Sequence, residues 1–288
     1  MFEMFINPKK AERHPWEMFF IGLIYASLSV LLVHWVFSGD AVLSKYSGIL
    51  VVTFSVMFTM PFMYYLFKHE EEKDEVTTGI IRIIEEHERA VLAFMWLFLG
   101  FIVAFSVLHI VLNDNLLFKA QIQTYCVINS PVNLDDCVAQ YEISKKISNS
   151  PTGFATKEIR FLSILENNIY VLIFTLIFSL IFGAGAIFIL AWNATVIAAA
   201  IGIFTKYQLK QVPLGLARYM IHGFPEIAAY FIAALAGGII GVGIIQNGIR
   251  DKKFLRVLGN AIILLFTSIV ILILAGLIEV YITPLIFH

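Results

Sequence analysis

Charge is scarce in this sequence: only 14% of its 288 residues are Asp, Glu, Lys or Arg, and the formal net charge is −1. So small a charged fraction, beside 59% hydrophobic residues and 26 Phe, excludes an ordinary soluble domain. The balance of charge offers no basic surface for nucleic acid. Uncharged stretches of about 20 residues recur instead, each long enough to cross a hydrocarbon core of about 30 Å. We therefore predict an all-α, polytopic transmembrane helical bundle in contact with membrane lipids.

Catalytic and nucleotide-binding motifs are also missing. The chain has no HExxH, GxSxG, GxxxxGK or CxxC sequence, which removes the common hydrolase, nucleotidase and redox signatures. Acidic and histidine residues between 69 and 88 have the side-chain types of metal ligands, but their spacing matches no metal motif and is typical of a solvated face. We predict a non-enzymatic protein with no cofactor and no metal site.

Hydrophobic runs divide the chain, taken as one integral membrane domain over 1–288, into about seven crossings. The longest run, 169–204, has 36 uncharged residues and would be about 54 Å long as one helix, too long for a single crossing. Either two crossings turn near Gly183 and Gly185, or one crossing is joined to a re-entrant segment. Both alternatives predict an interrupted region near 183–193.

Two polar segments separate the hydrophobic runs. Apolar residues recur at helical spacing within 68–89, which predicts an amphipathic segment at the cytoplasmic interface. Residues 113–165 form a long insert that contains both cysteines, Cys126 and Cys137. Two cysteines in one loop favour a disulfide in an oxidising compartment, worth about 3 kcal/mol, and two unpaired thiols in a reducing compartment are the alternative.

Lys and Arg counts predict the orientation of the chain. With seven crossings and a cytoplasmic N-terminus, the inside segments hold eleven of these residues, and the outside links, apart from 113–165, hold four. This asymmetry follows the positive-inside rule. The insert then lies outside the cell membrane, where a disulfide is stable.

The sequence HGFPE, from His222 to Glu226, stands at the mouth of a long uncharged stretch. Pro225 has no N–H, and its ring clashes with the carbonyl four residues earlier, so we expect a helix break at 222–225 with a new helix from Pro225. Gly223 lies within that break. If the helix is only kinked, His222 and Glu226 share one face.

A carboxylate at membrane depth needs a partner or water. We name His222, Arg218 and Asn193 as candidate partners of Glu226. Two interpretations stay open: a polar clamp that satisfies freed backbone groups, or an ion or proton site at a broken helix of the kind transporters use. The small residues that follow, including Gly237-xxx-Gly241, predict a helix that is central or lies at a subunit interface.

Three segments resemble the stage II sporulation protein M family, in its archaeal-type branch: NPKKAERHPWEMFFIGLIYAS (7–27), FGAGAIFILAWNATVIAAAIG (182–202) and HGFPEIAAYFIAALAGG (222–238). The resemblance assigns signature positions to Gly183, Gly185, Asn193, His222, Gly223, Pro225 and Glu226. It implies a polytopic integral membrane protein. In endospore-forming bacteria the namesake takes part in engulfment, as the membrane component beside peptidoglycan-degrading partners.

The functional prediction combines the polar residues with this resemblance. We predict a scaffold or assembly subunit of a membrane complex, whose partners are other subunits or a second copy of the chain. The alternative is a channel or transporter with a polar site at HGFPE.

Overall fold

The computed structural model of the chain describes residues 8–74, 80–112, 114, 117–129, 137–138, 156–182, 186–247 and 251–286. These residues are almost entirely helical and include no strand. Seven of the helices are long and apolar enough to cross a membrane. The predicted all-α bundle with about seven spans is therefore confirmed, and the chain is a multi-pass membrane protein.

The helices are α1 (Pro8–Arg13), α2 (Met18–Phe37), α3 (Ser47–Asp74), α4 (Ile80–Leu112), α5 (Lys119–Asn129), α6 (Lys157–Phe182), α7 (Ala186–Phe204), α8 (Val212–Asn247), α9 (Lys252–Leu277) and α10 (Thr283–Ile286). A π-helical turn, Ile278–Ile282, joins α9 to α10. The crossings α2, α3, α4, α6, α7, α8 and α9 alternate in direction. One end of the bundle therefore carries α5 and α10, and the other end carries α1.

The long uncharged run is divided between α6 and α7, as the two-crossing alternative requires. The predicted turn residues Gly183 and Gly185 lie outside the described residues. The interruption is narrower than the predicted 183–193, because α7 begins at Ala186 and remains helical through Asn193. Asn193 Nδ2 donates to the Ile189 carbonyl 2.8 Å away, so its amide is satisfied within the helix.

Helix α8 continues without a break through Pro225, so the predicted break at 222–225 is wrong. A proline inside a helix costs about 3 kcal/mol. A true break at membrane depth would leave several backbone groups without partners, and each such group in hydrocarbon costs several kcal/mol. Helix α8 also packs against α3, α4, α6, α7 and α9, and these contacts hold it continuous.

The core of the bundle is an aromatic cluster between α4 and α8. The rings of Phe94 and Phe231 stack with centroids 4.8 Å apart. Phe67 packs edge-on to Phe94, and Phe98 packs edge-on to Phe231. All four rings are buried. This cluster joins α3 and α4 to the middle of α8.

The small residues of α8 lie against α6 within the chain. A Cβ placed on Gly237 would lie 2.6 Å from the Leu176 carbonyl oxygen, and one placed on Gly241 would lie 2.7 Å from the Leu180 carbonyl oxygen. Helix backbones approach this closely only where side chains are absent. The sequence predicted that this helix is either central or at a subunit interface, and α8 is central. The two glycines of Gly237-xxx-Gly241 contact α6 of the same chain.

The predicted amphipathic segment 68–89 is divided between the end of α3 and the start of α4, because α3 continues to Asp74 and α4 begins at Ile80. Its polar residues are not all solvated. Glu70, Glu71 and His87 are buried, with at most 1% of each residue exposed. Interaction with other polar groups explains the burial of Glu70 and His87, as described below.

Part of the predicted insert 113–165 is helical. Helix α5 lies within it, and α6 begins at Lys157, before the uncharged run. Cys126 and Cys137 form a disulfide with Cα atoms 5.8 Å apart, as predicted. Cys126, Cys137 and Ile122 pack with Ala199 of α7, so the disulfide attaches α5 to the bundle.

Loss of this disulfide is expected to destabilise the protein. Replacing both Cys126 and Cys137 by serine should lower the free energy of unfolding by about 3 kcal/mol, since the cross-link no longer restricts the unfolded chain. Thermal unfolding in detergent measures the change. The wild-type chain should take up no alkylating reagent until it is reduced, and alkylation of the unreduced native protein at both cysteines would contradict the assignment.

Candidate functional site

A set of polar side chains surrounds Glu226 on α8, within the membrane-spanning part of the chain. We call this set the Glu226 site. It comprises Asn168 of α6, His222, Glu226 and Tyr230 of α8, and Glu279 and Thr283 near the C-terminus. The residues come from α8 and from two segments that pack against it, α6 and the C-terminal segment. Pro225 lies inside the helix here, and Gly223 is buried beside it.

Glu226 obtains its partners from α8 and α6. The Tyr230 hydroxyl donates to Glu226 Oε1 over 3.0 Å. The Asn168 side chain also hydrogen-bonds the carboxyl group. Asn168 Oδ1 accepts from Asn167 Nδ2, 3.3 Å away, which leaves the Asn168 amide to donate. Glu226 is therefore held by two uncharged donors.

A second carboxyl group, that of Glu279, lies close enough to Glu226 for their charges to repel. Glu279 follows α9 in the π-helical turn, and such turns are frequent at functional sites. Carboxyl groups within membrane spans pair with other groups or face water, and they mark proton and ion pathways. The site therefore has the chemistry of a proton or cation acceptor.

His222 is held by the C-terminal segment. Its Nδ1 lies 3.2 Å from Thr283 Oγ1, and Thr283 Oγ1 in turn donates to the Ile278 carbonyl over 3.2 Å. Arg160 and Arg218 are near enough to act on the ring electrostatically. His222 and Glu226 share the same side of α8, yet each uses a different partner.

Two of the predicted partners of Glu226 have other roles. The Arg218 guanidinium lies over the Phe204 ring, 4.6 Å from its centroid. Asn193 bonds within its own helix, as noted above. Gly183 and Gly185 lie outside the described residues, so their predicted place at the site stays a prediction.

Sequence reasoning missed Asn168, Tyr230 and Thr283. Tyr230 had a readable signal, since it follows Glu226 by four residues and therefore lies on the same helix face. Asn168 had a weaker one, because it is the last polar residue before an uncharged run. Thr283 had none, since its proximity to His222 depends on how α9 packs against α8.

A second polar group, which we call the Glu70 cluster, lies at the opposite end of the bundle. Glu70 Oε1 accepts from Lys73 Nζ over 2.7 Å, and Glu70 Oε2 lies 2.5 Å from His87 Nδ1. Lys73 Nζ also donates to Glu12 Oε2 over 2.9 Å. The cluster thus links α1, α3 and α4 by charge-assisted hydrogen bonds.

Glu12 brings the N-terminal helix into this cluster. Arg89 Nη1 donates to the Glu12 carbonyl over 3.4 Å, and His69 Nε2 lies 3.7 Å from Glu12 Oε1. Burial, together with the nearby charge of Glu70, raises the pKa of Glu12 to about 7 although Lys73 opposes the rise. The carboxyl group of Glu12 therefore changes charge near neutral pH.

Comparison with known proteins gives a family and one distant relative. A profile of the family described as "Stage II sporulation protein M" matches residues 89–284. An uncharacterised protein of Methanocaldococcus jannaschii is 33% identical over 133 residues, which cover 44% of this chain and 72% of the relative. No solved structure matches the chain. The family profile, which matches residues 89–284, includes all of the Glu226 site, whereas α1, α2 and α3 precede this range.

Proposed function

The chain belongs to the stage II sporulation protein M family, and on that premise we propose that it is a non-enzymatic scaffold or assembly subunit of a membrane complex. The observation that supports this proposal is the partial exposure of the Glu226 site. His222, Glu226 and Glu279 each keep part of their surface accessible on the single chain. Around them the surface is apolar, with Phe224 exposed to 45% and Tyr281 to 38%.

This exposure is costly for an isolated chain in a bilayer. A polar residue that keeps accessible surface at membrane depth must meet water, lipid or protein, and contact with acyl chains costs several kcal/mol for a charged group. Tyr230 and Asn168 hydrogen-bond the Glu226 carboxyl group from within the chain. A transmembrane helix of another subunit, with a polar or basic side chain, would cover the surface that these residues leave accessible.

A photo-crosslinking residue at Phe224 tests this proposal in the native membrane. We expect one discrete cross-linked protein from this position, and none from the equally outward Leu274 on α9, which is 53% exposed. Glu226→Gln should reduce the yield by about 10-fold or more, because hydrogen bonds to a charged group are worth about 1.5–3 kcal/mol. Glu166→Gln, an exposed acid on α6, is the matched control and should have no effect.

Two results would oppose an assembly role. Cross-links from Phe224 to lipid alone would mean that no protein covers the site. A protein product of equal yield in wild type and Glu226→Gln would mean that a partner is present but does not recognise the carboxyl group.

One observation favours transport as a second candidate function: Glu226 and Glu279, two carboxyl groups within the spans, interact electrostatically. Paired carboxyl groups inside a membrane are typical of proton and cation pathways. Proteoliposomes loaded with a pH-sensitive dye, or with sodium outside, would report such flux. Uptake by the wild-type protein that Glu226→Gln abolishes and Glu166→Gln preserves would place transport above assembly.

The proposed orientation has the N-terminus in the cytoplasm and α5 outside. The disulfide supports this orientation, because disulfides persist in oxidising compartments. The excess of Lys and Arg in the N-terminal and alternate loops agrees with it. A membrane-impermeant thiol reagent applied to reduced, intact cells should label Cys126 or Cys137, and labelling only after lysis would reverse the orientation.

A further inference from the structure

Three potential metal ligands converge within the Glu70 cluster. The side chains of Glu12, His69 and Glu70 each offer one ligand atom, and these atoms lie within 4.8 Å of one another. They come from two elements, α1 and the end of α3. An imidazole nitrogen with two carboxylates is a ligand set that suits divalent transition metals such as Zn²⁺.

A buried acceptor points into the space between these ligands. Glu12 is only 9% exposed, and its Oε1 lacks a hydrogen-bond partner among the residues that the structure describes. His69 Nε2 lies 3.7 Å from this oxygen, too far for a hydrogen bond. Two atoms bound to one tetrahedral zinc lie about 3.4 Å apart, because each bond is about 2.0–2.1 Å long. The gap between Oε1 and Nε2 is therefore close to the separation of two ligands of one ion.

The other polar groups of the cluster hold the ligands without filling this gap. Lys73 uses the opposite oxygen of Glu12, Oε2, and also binds Glu70 Oε1. His87 binds Glu70 Oε2 from α4. Such hydrogen bonds fix the orientation of ligating carboxylates in metal sites. His69 keeps part of its side chain, 17%, accessible, which gives an ion a route from the aqueous phase.

From this geometry we propose that Glu12, His69 and Glu70 bind one divalent transition-metal ion, with Zn²⁺ the best fit, and that the ion fastens the N-terminal helix α1 to the end of α3. Sequence spacing gave no sign of this set, because Glu12 precedes His69 by 57 residues (69 − 12). The site lies at the end of the bundle opposite the disulfide. It is separate from the Glu226 site and independent of the proposed assembly role.

Zinc binding to the full-length, tag-free protein in detergent tests the proposal. After treatment with EDTA and buffer exchange, zinc is titrated at about pH 7.5 against a chromophoric chelator. We expect one zinc ion per chain, and an affinity lowered at least about 10-fold in His69→Ala and in Glu12→Gln. His14→Ala is the matched control, because His14 is an exposed histidine just beyond α1, and its affinity should equal that of the wild type.

Thermal unfolding keeps the test valid if a variant folds poorly. Zinc should raise the unfolding temperature of the wild type and of His14→Ala, and should leave that of folded His69→Ala unchanged. The proposal is overturned if the wild type binds no zinc, if it binds zinc only at adventitious, millimolar concentrations, or if His69→Ala and Glu12→Gln retain the wild-type affinity and thermal shift.

Discussion

Gly100→Ala should lower the free energy of unfolding by about 3 kcal/mol, at the upper end of the range for overpacking substitutions. Helices α2 and α4 cross at Gly22 and Gly100 with their backbones in contact. A Cβ on Gly100 would meet the Phe19 carbonyl oxygen and would lie 3.1 Å from the Gly22 Cα. Because these obstructing atoms are backbone, no rotamer change can make room, and the helices must separate. Heating in detergent, followed by size-exclusion chromatography, measures the loss.

The control for this prediction is Gly259→Ala. Among the described residues, no atom lies within 4 Å of a Cβ placed on Gly259, so the substitution should raise stability by up to about 1 kcal/mol through helix propensity. Equal stabilities of Gly100→Ala and Gly259→Ala would mean that α2 and α4 do not cross where the structure has them cross.

Glu70→Ala should destabilise the protein by about 3–5 kcal/mol, the usual loss when one member of a buried ionic group is removed. Glu70 is fully buried and binds both Lys73 and His87. Without its carboxylate, the buried His87 and the half-buried Lys73 each lose an acceptor, and the first part of α4 loses a hydrogen bond to α3. Chemical denaturation in detergent measures the effect, with EDTA present so that metal binding does not contribute.

The matched variant is Glu72→Ala, two residues further along α3, where the side chain is exposed. It should change stability by no more than about 0.5 kcal/mol, as surface substitutions do. If Glu70→Ala and Glu72→Ala unfolded at the same denaturant concentration, the hydrogen bonds of Glu70 would contribute little to the stability of the protein.

The crossings were predictable because the membrane imposes one strong condition on sequence. Each span needs about 20 apolar residues, and that length is visible in a single chain. The residues at which the helices end were harder to predict. Helix α3 continues to Asp74 because Glu70 and Lys73 satisfy each other across the helix end, so a charged segment can remain helical and buried.

The break predicted at Pro225 shows where local rules fail. The rule that proline ends a helix weighs one residue against its neighbours. In α8 a second free-energy cost competes with that of the proline. An open helix end surrounded by hydrocarbon costs more than keeping the proline inside the helix. Glu226 was recognised as a residue in need of partners, but its partner Asn168 was not, because that contact depends on the packing of α6 against α8.

The environments of two histidines also depend on packing between distant parts of the chain. His109 is buried, with its ring 4.5 Å from that of Phe118. His87 was assigned to a solvated face and is buried against Glu70. A histidine is amphipathic, so only its neighbours decide its environment, and those neighbours come from distant parts of the chain.

The glycine crossing of α2 and α4 also bears on how the protein is made. Gly22 is synthesised 78 residues before Gly100 (100 − 22), and at 5–20 residues per second the ribosome needs about 4–16 s to cover that interval. During that time α2 has entered the bilayer while the surface that will receive α4 still faces acyl chains. An apolar surface tolerates this delay, because lipid tails are as apolar as the side chains that later cover it.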